Sequence, residues 1–177
     1  MISNPYYTHQ KYLINEMNKL DNIKPLKILE FGTGDGSAFV FSDYLSRYRN
    51  LTVDAYEDNL KWYGNMKEKY TNRNYRFHYV ASWDRLIKES NILDYQYDLV
   101  FVDADLFETR IELINFIKYN AKVIILHDYD FYNKGVIKDI FSVSEGSFFD
   151  KHFGDDFIME GNYEVLPPTL ILKNKKL

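Results

Sequence analysis

The stretch Lys27-Ile28-Leu29-Glu30-Phe31-Gly32-Thr33-Gly34-Asp35-Gly36-Ser37 constrains this chain more than any other. An apolar run ends in an acid, three glycines follow at alternate positions, and a helix-like segment begins. This reads as a buried strand feeding a tight turn free of Cβ atoms. A ligand can approach the backbone closely there and meet the N–H groups of a helix start. The spacing is G-x-G-x-G, not the G-x-G-x-x-G of dinucleotide binders. Taken alone, it leaves open the lesser alternative of an ordinary βα turn that holds nothing.

The flanking chain repeats the pattern. Tyr12, Leu13, Met17 and Leu20 fall at helical spacing, which predicts an amphipathic helix over 7–20. His9, at its start, is expected to be a solvated surface histidine, the alternative being a residue that reaches over a cleft. After the first strand, 27–31, a helix is predicted over 37–48 with Phe39, Val40, Tyr44 and Leu45 on its buried side. Strands are predicted over 51–56, 75–80, 97–102 and 122–126. Helices are predicted over 60–70 (with Trp62, Tyr63 and Met66 as its apolar side), 85–89 (capped by Ser82 or Asp84) and 108–119. Near-continuous apolar strands alternating with helices mean a parallel sheet covered on both faces.

The tail breaks the rhythm. A helix over 134–143 and an irregular stretch are followed by strand-like runs at 163–166 and 169–173, around Pro167-Pro168. These are expected to close one sheet edge as an antiparallel pair. The fold class is therefore α/β, doubly wound and Rossmann-like: a mostly parallel seven-stranded sheet with helices on both faces and an antiparallel C-terminal strand pair. One domain is expected over 1–177, an N-terminal helical segment (1–26) preceding a sheet core (27–177).

Composition removes several function classes. The net charge of −4 offers no basic footprint for nucleic acid or an anionic membrane. The absence of cysteine excludes thiolate catalysis, zinc–thiolate sites and a disulfide scaffold. With no signal-like N-terminus and no apolar run of membrane-spanning length, a cytoplasmic protein is expected.

In open α/β sheets, ligands bind outside the carboxyl ends of the strands. The first strand offers Glu30 and the glycine turn, the second Glu57, and the third is followed by Ala81-Ser82-Trp83. The fourth ends at Asp103 and the fifth at His127-Asp128. Glu57 lies 21 residues past Gly36, where an acid accepts hydrogen bonds from ribose hydroxyls. A pyrophosphate on this turn would face Glu30 and Asp35 with no basic residue in the loop. Like charges a few ångströms apart cost on the order of a few kcal/mol at intermediate dielectric. An adenosine compound carrying an ammonium and a sulfonium but no phosphate is attracted instead, which describes S-adenosylmethionine.

Ile28 to Gly36 closely resembles motif I, E-x-G-x-G-x-G, of class I S-adenosylmethionine-dependent methyltransferases. The resemblance spans nearly the whole chain, through Ala55-Tyr56-Glu57-Asp58-Asn59, Leu99-Val100-Phe101-Val102-Asp103 and Val123-Ile124-Ile125-Leu126-His127-Asp128. Ala81-Ser82-Trp83-Asp84-Arg85-Leu86-Ile87 resembles the adenine-side segment of the catechol O-methyltransferase-like branch. The resemblance implies that Gly32, Thr33, Gly34 and Gly36 form the cofactor turn and that Glu30 orders it. It further implies that Glu57 holds the ribose, that Ser82 and Trp83 flank the adenine, and that Asp103 lies at the amino-acid end or the methyl-transfer centre.

In the metal-dependent branch, Asp103 and Asp128 would match two magnesium ligands. The third is typically Asn, whereas Tyr129 follows here; His127 or Asp130 would have to substitute. Catalytic roles fall to Asp103, His127 and Asp128, with His127 either a general base or a histidine satisfied by its neighbours. The implied activity is O-methylation of a small molecule, with a homo-oligomer left open. The alternatives are a nicotinamide-dependent oxidoreductase and a non-catalytic cofactor-binding partner subunit.

Overall fold

The computed structural model describes residues 7–21, 23–129, 143–162, 164–165 and 167–177. In it, the glycine stretch is the end of β1 (Leu26–Phe31) and the start of α2 (Asp35–Arg47). Four further parallel strands follow: β2 (Leu51–Glu57), β3 (Tyr75–Tyr79), β4 (Tyr97–Val102) and β5 (Ala121–His127). The helices between them are α3 (Leu60–Lys69), α4 (Trp83–Glu89) and α5 (Phe107–Ile117). The chain order is completed by α1 (Gln10–Met17) before the sheet, and by α6 (Phe148–Phe153), β6 (Phe157–Asn162) and β7 (Thr169–Asn174) after it.

The seven strands lie in the order β3-β2-β1-β4-β5-β7-β6, with β7 antiparallel to both β5 and β6. Strand order reverses between β1 and β4, so the crevice above their carboxyl ends is the natural ligand position. Alternate residues of the central strands feed two cores. On one face, Ile28, Val53, Leu99, Phe101 and Ile125 pack under α1, α2 and α3. On the other, Leu29, Phe31, Val100, Val102, Ile124 and Leu126 pack under α4, α5 and α6. Continuous burial of the central strands is why they read as unbroken apolar runs.

Three expectations are corrected. The antiparallel partner of β7 is β6 at Phe157–Asn162, not the run at 163–166; within that run, Glu164 and Val165 lie in a bend. In α2, Phe39 is 64% exposed, because the buried stripe runs through Ala38, Phe41, Tyr44 and Leu45 and puts Phe39 on the opposite side. In α3, only Met66 is buried. The helix expected over 134–143 lies outside the described residues, apart from Val143. Among the described residues, no helix is long and apolar enough to cross a membrane.

Candidate active site

Gly32 fixes how the turn leaves β1. Its φ is +80°, a left-handed conformation that suits glycine, and its backbone passes against the end of β4. Its N–H donates to the Tyr56 carbonyl at 2.9 Å, while the Asp103 N–H donates to the Phe31 carbonyl at 2.7 Å. The ends of β1, β2 and β4 are therefore locked together beneath the turn. Gly34 meets no such demand: a Cβ there would meet only Ser37 Oγ, at 3.8 Å.

Glu30 lies behind the turn and is fully buried. Its carboxyl takes hydrogen bonds from Ser37 Oγ and from the Tyr75 hydroxyl (2.6 Å), and Ser37 also bonds the Gly34 carbonyl. Burial pushes this carboxyl up to about 8, against the pull of those two hydrogen bonds. When Glu30 is protonated, Ser37 can accept its proton while donating to Gly34, so the acid orders the turn without facing a ligand. Asp35 pairs outward with Lys69 at 2.6 Å. Contrary to expectation, neither acid sets the charge over the turn: Glu30 is buried and held protonated near neutrality, and Asp35 is ion-paired. The acids that do line the crevice are Glu57, Asp58, Asp103, Asp105 and Asp128.

A stability test follows from Glu30. The unfolded chain releases this proton near 4.5 and the folded chain near 8. Its contribution is therefore fully present below about pH 4.5 and is lost as pH rises through about 8. Thermal unfolding from pH 5 to 9 should show a declining Tm that flattens by at least a few °C in Glu30→Gln. A variant with an undiminished slope would contradict the assignment.

Glu57 closes the other side of the turn. One carboxylate oxygen accepts from the Thr33 N–H (2.8 Å) and hydroxyl (3.1 Å), and the other from the Asn59 N–H (2.8 Å). Burial raises its pKa, and these hydrogen bonds oppose the rise. Oε1 keeps one accepting site, and Oε2 gains one when the Thr33 hydroxyl turns away, so ribose hydroxyls can be added without breaking the Thr33 and Asn59 N–H bonds. Beside it, the half-exposed indole of Trp62 donates to the Thr33 carbonyl and covers the crevice. Helical spacing marks Trp62 only as apolar; its place at the third residue of a helix that starts just after a strand-end acid is the signal for a site residue.

Ser82 and Trp83 are not brought into this crevice. Ser82 starts α4 and faces a separate, smaller hollow of about 320 Å³ with Tyr56 and Tyr79. Trp83 is buried, edge-on to Phe31, and reaches the crevice only through its indole N–H bond to Asp58 at 2.9 Å. Among the glycines of the turn, only Gly32 lines the crevice, together with Thr33.

At the far end, the carbonyls of Ala104 and Asp105, just past β4, and of His127 and Asp128, at the end of β5, each need a hydrogen-bond donor. Arg110, buried on α5, supplies the missing donors. Its guanidinium bonds the carbonyls of Ala104, Asp105 (3.3 Å), His127 (3.0 Å) and Asp128 (2.8 Å). It also lies 3.5 Å from Asp103 Oδ1 and 3.9 Å from Asp128 Oδ2. Sequence reading passes over Arg110 as one more polar helix position. Asp128 sits at φ +55°, held there by its N–H bond to Pro168 and by Arg110. Strain of this kind in a non-glycine residue costs of order 1–3 kcal/mol and gathers at functional sites.

His127 is buried with both ring nitrogens engaged: Nδ1 with Asp103 Oδ2 at 3.1 Å, and Nε2 with Thr8 Oγ1 at 2.9 Å. His9 overturns its expectation, being only 2% exposed. Its ring packs edge-on against His127 and tilted against Phe101, at 4.5 and 4.8 Å between centroids. Burial and the neighbouring His127 drive its pKa down to about 3, with Asp103 opposing.

The carboxylate pair Asp103 and Asp128 does not fit a magnesium ion. Magnesium takes six oxygen ligands in a near-octahedral shell. Here a fixed guanidinium already lies against both carboxylates, and Tyr129, in the position of the usual asparagine, is buried edge-on to Phe149. Asp130 lies outside the described residues.

Glu57, Trp62, Asp103, His127 and Asp128 thus line one crevice of about 960 Å³ that runs along the strand ends from the glycine turn to β5. No family model matches the chain, and no curated protein matches it. Solved structures do. The carbon methyltransferase CurJ aligns over 96% of this chain at 11% identity with a TM-score of 0.63. Human methyltransferase-like protein 13, in complex with S-adenosylhomocysteine, aligns over 94% at 16% identity and 0.59. The fold is the Rossmann-like methyltransferase fold. M. capricolum TrmK, in complex with S-adenosylhomocysteine, aligns over 93% of this chain at 14% identity and 0.56. The chain spans 54% of CurJ, 81% of the human protein and 68% of TrmK. These methyltransferases differ in kind and do not single out a catechol O-methyltransferase-like branch.

Proposed function

We propose that this chain is an S-adenosylmethionine-dependent methyltransferase that methylates a hydroxyl group of a small molecule. The observation that carries the reading is the continuous crevice joining Gly32, Thr33 and Glu57 at one end to Asp103, His127 and Asp128 at the other. Five carboxylates line it, Arg110 is spent on carbonyls and acids, and Lys61 stands exposed at the rim. That field suits an ammonium and a sulfonium and repels phosphate, which disfavours both a dinucleotide and a nucleic-acid acceptor. Two neighbours of the same fold are complexes with S-adenosylhomocysteine.

In this reading the ribose hydroxyls bind Glu57, with the turn at Gly32 and Thr33 beneath the methionyl part. Trp62 supplies the exposed aromatic face over the adenosine, the role that the resemblance gives to Ser82 and Trp83. The acceptor lies at the ends of β4 and β5. Its oxygen attacks the methyl carbon, the carbon–sulfur bond breaks, and S-adenosylhomocysteine leaves. Orientation of the two reactants supplies up to roughly 7–11 kcal/mol of the barrier reduction. The hydroxyl proton passes to Asp128, since both nitrogens of His127 are engaged; Asp103 and His127 hold the wall behind it.

Methyl-labelled S-adenosylmethionine, incubated with a panel of small hydroxyl-bearing acceptors, tests the activity. Asp128→Asn should lower turnover about 10²–10⁴-fold with S-adenosylhomocysteine affinity unchanged. An Asn variant with full turnover would refute the base assignment. Cofactor binding without transfer to any acceptor would favour the partner-subunit reading.

A further inference from the structure

We infer that His9, Asp103 and His127 form a binding site for a borderline divalent ion of the zinc, cobalt(II) or iron(II) kind, distinct from the magnesium pair that the resemblance implies. One ligand atom from each of the three residues lies within 4.8 Å of the other two. Two ligands at about 2.1 Å from a shared ion stand at most about 4.2 Å apart. A contraction of roughly half an ångström therefore brings the set to bonding distance.

Two observations point to the ion. The first is His9. Among the described residues, both of its buried ring nitrogens have no hydrogen-bond partner, although their desolvation is costly. It occupies the N-cap position of α1, yet its side chain caps nothing and lies against His127. The second is the setting of His127. Its Nε2 lies 2.9 Å from Thr8 Oγ1, which also meets the Pro167 carbonyl at 3.0 Å, and its Nδ1 lies 3.1 Å from Asp103 Oδ2. An Nδ1 that faces a carboxylate oxygen either carries a proton or shares a cation with it. The proton leaves both His9 nitrogens orphaned, whereas a dication takes one nitrogen from each histidine together with the Asp103 carboxylate.

The Thr8 contact then has the form of an outer hydrogen bond that fixes a ligand's tautomer. Asp103 divides its carboxylate, with Oδ1 toward Arg110 and Oδ2 toward the histidines. Two imidazoles and one carboxylate select a borderline ion over magnesium.

The test uses untagged, chelator-treated protein and Co²⁺ alone, followed by visible absorption and proton NMR. One equivalent should bind, be displaced by Zn²⁺ and resist millimolar Mg²⁺, and two histidine ring N–H resonances should show hyperfine shifts. His9→Phe keeps an aromatic ring against Phe101 and removes two orphaned nitrogens. It should weaken Co²⁺ binding at least ~100-fold, while the metal-free variant unfolds no lower than the parent. No Co²⁺ binding, fewer than two shifted histidines, or undiminished binding in His9→Phe would overturn the site. So would binding that only Asp128→Asn abolishes. S-adenosylhomocysteine titrations of the same samples report separately on the cofactor, so failure of the metal site leaves the methyltransferase reading standing.

Discussion

Gly32→Ala is expected to cost the protein about 3 kcal/mol. Two penalties add. A residue with a Cβ pays roughly 1–2 kcal/mol to hold a left-handed conformation, and φ here is +80°. The new methyl would also lie 2.7 Å from the Ala104 nitrogen and closer still to the Asp103 carbonyl. Those atoms are backbone, tied to β1 by the Asp103–Phe31 hydrogen bond, so they cannot swing away as a side chain would. Overpacking of this kind adds about 1–3 kcal/mol. Urea unfolding should show the loss as a lower midpoint at unchanged m-value. Gly34→Ala is the internal control, since its Cβ has room, and it should fall within about 1 kcal/mol of wild type. If the two variants unfold alike, the turn is not packed as described.

The contrast between these glycines marks where sequence reading ends. The alternating glycines announce a turn, but only the meeting of β1 with β4 shows which one is irreplaceable. The central strands were legible because burial on both faces makes them near-continuous apolar runs. The edge strand β6 was not, because its residues alternate between buried Phe157 and exposed Ile158 amid polar neighbours and glycines. The strand ends were legible as a row of acids. Their separate states were not, since the isolation of Glu30 and the pairing of Asp35 with Lys69 are tertiary facts.

The residues missed share one cause. Arg110 bonds carbonyls just past β4 and at the end of β5, and His9 is buried through contacts with β4 and β5, more than ninety positions away. Local periodicity carries no information about either. Trp62 was visible as an apolar helix residue, but whether an indole near a helix start faces core or crevice depends on how the helix sits over the turn.

On the proposed reading the turn and Glu57 hold a phosphate-free adenosine, and Glu57 makes the largest single contribution. Glu57→Ala removes the two oxygens that tie Thr33 and Asn59 together and that would accept the ribose hydroxyls. Truncating a group that is buried and accepts several hydrogen bonds costs on the order of 2–5 kcal/mol in binding, or about 30- to several-thousand-fold in affinity. Calorimetric titration of the folded protein with S-adenosylhomocysteine, with NADH as comparison, measures this directly. One site of about micromolar affinity is expected for S-adenosylhomocysteine, none for NADH, and no detectable heat with Glu57→Ala. Absence of S-adenosylhomocysteine binding to the wild-type chain, or binding of NADH in its place, would contradict that reading.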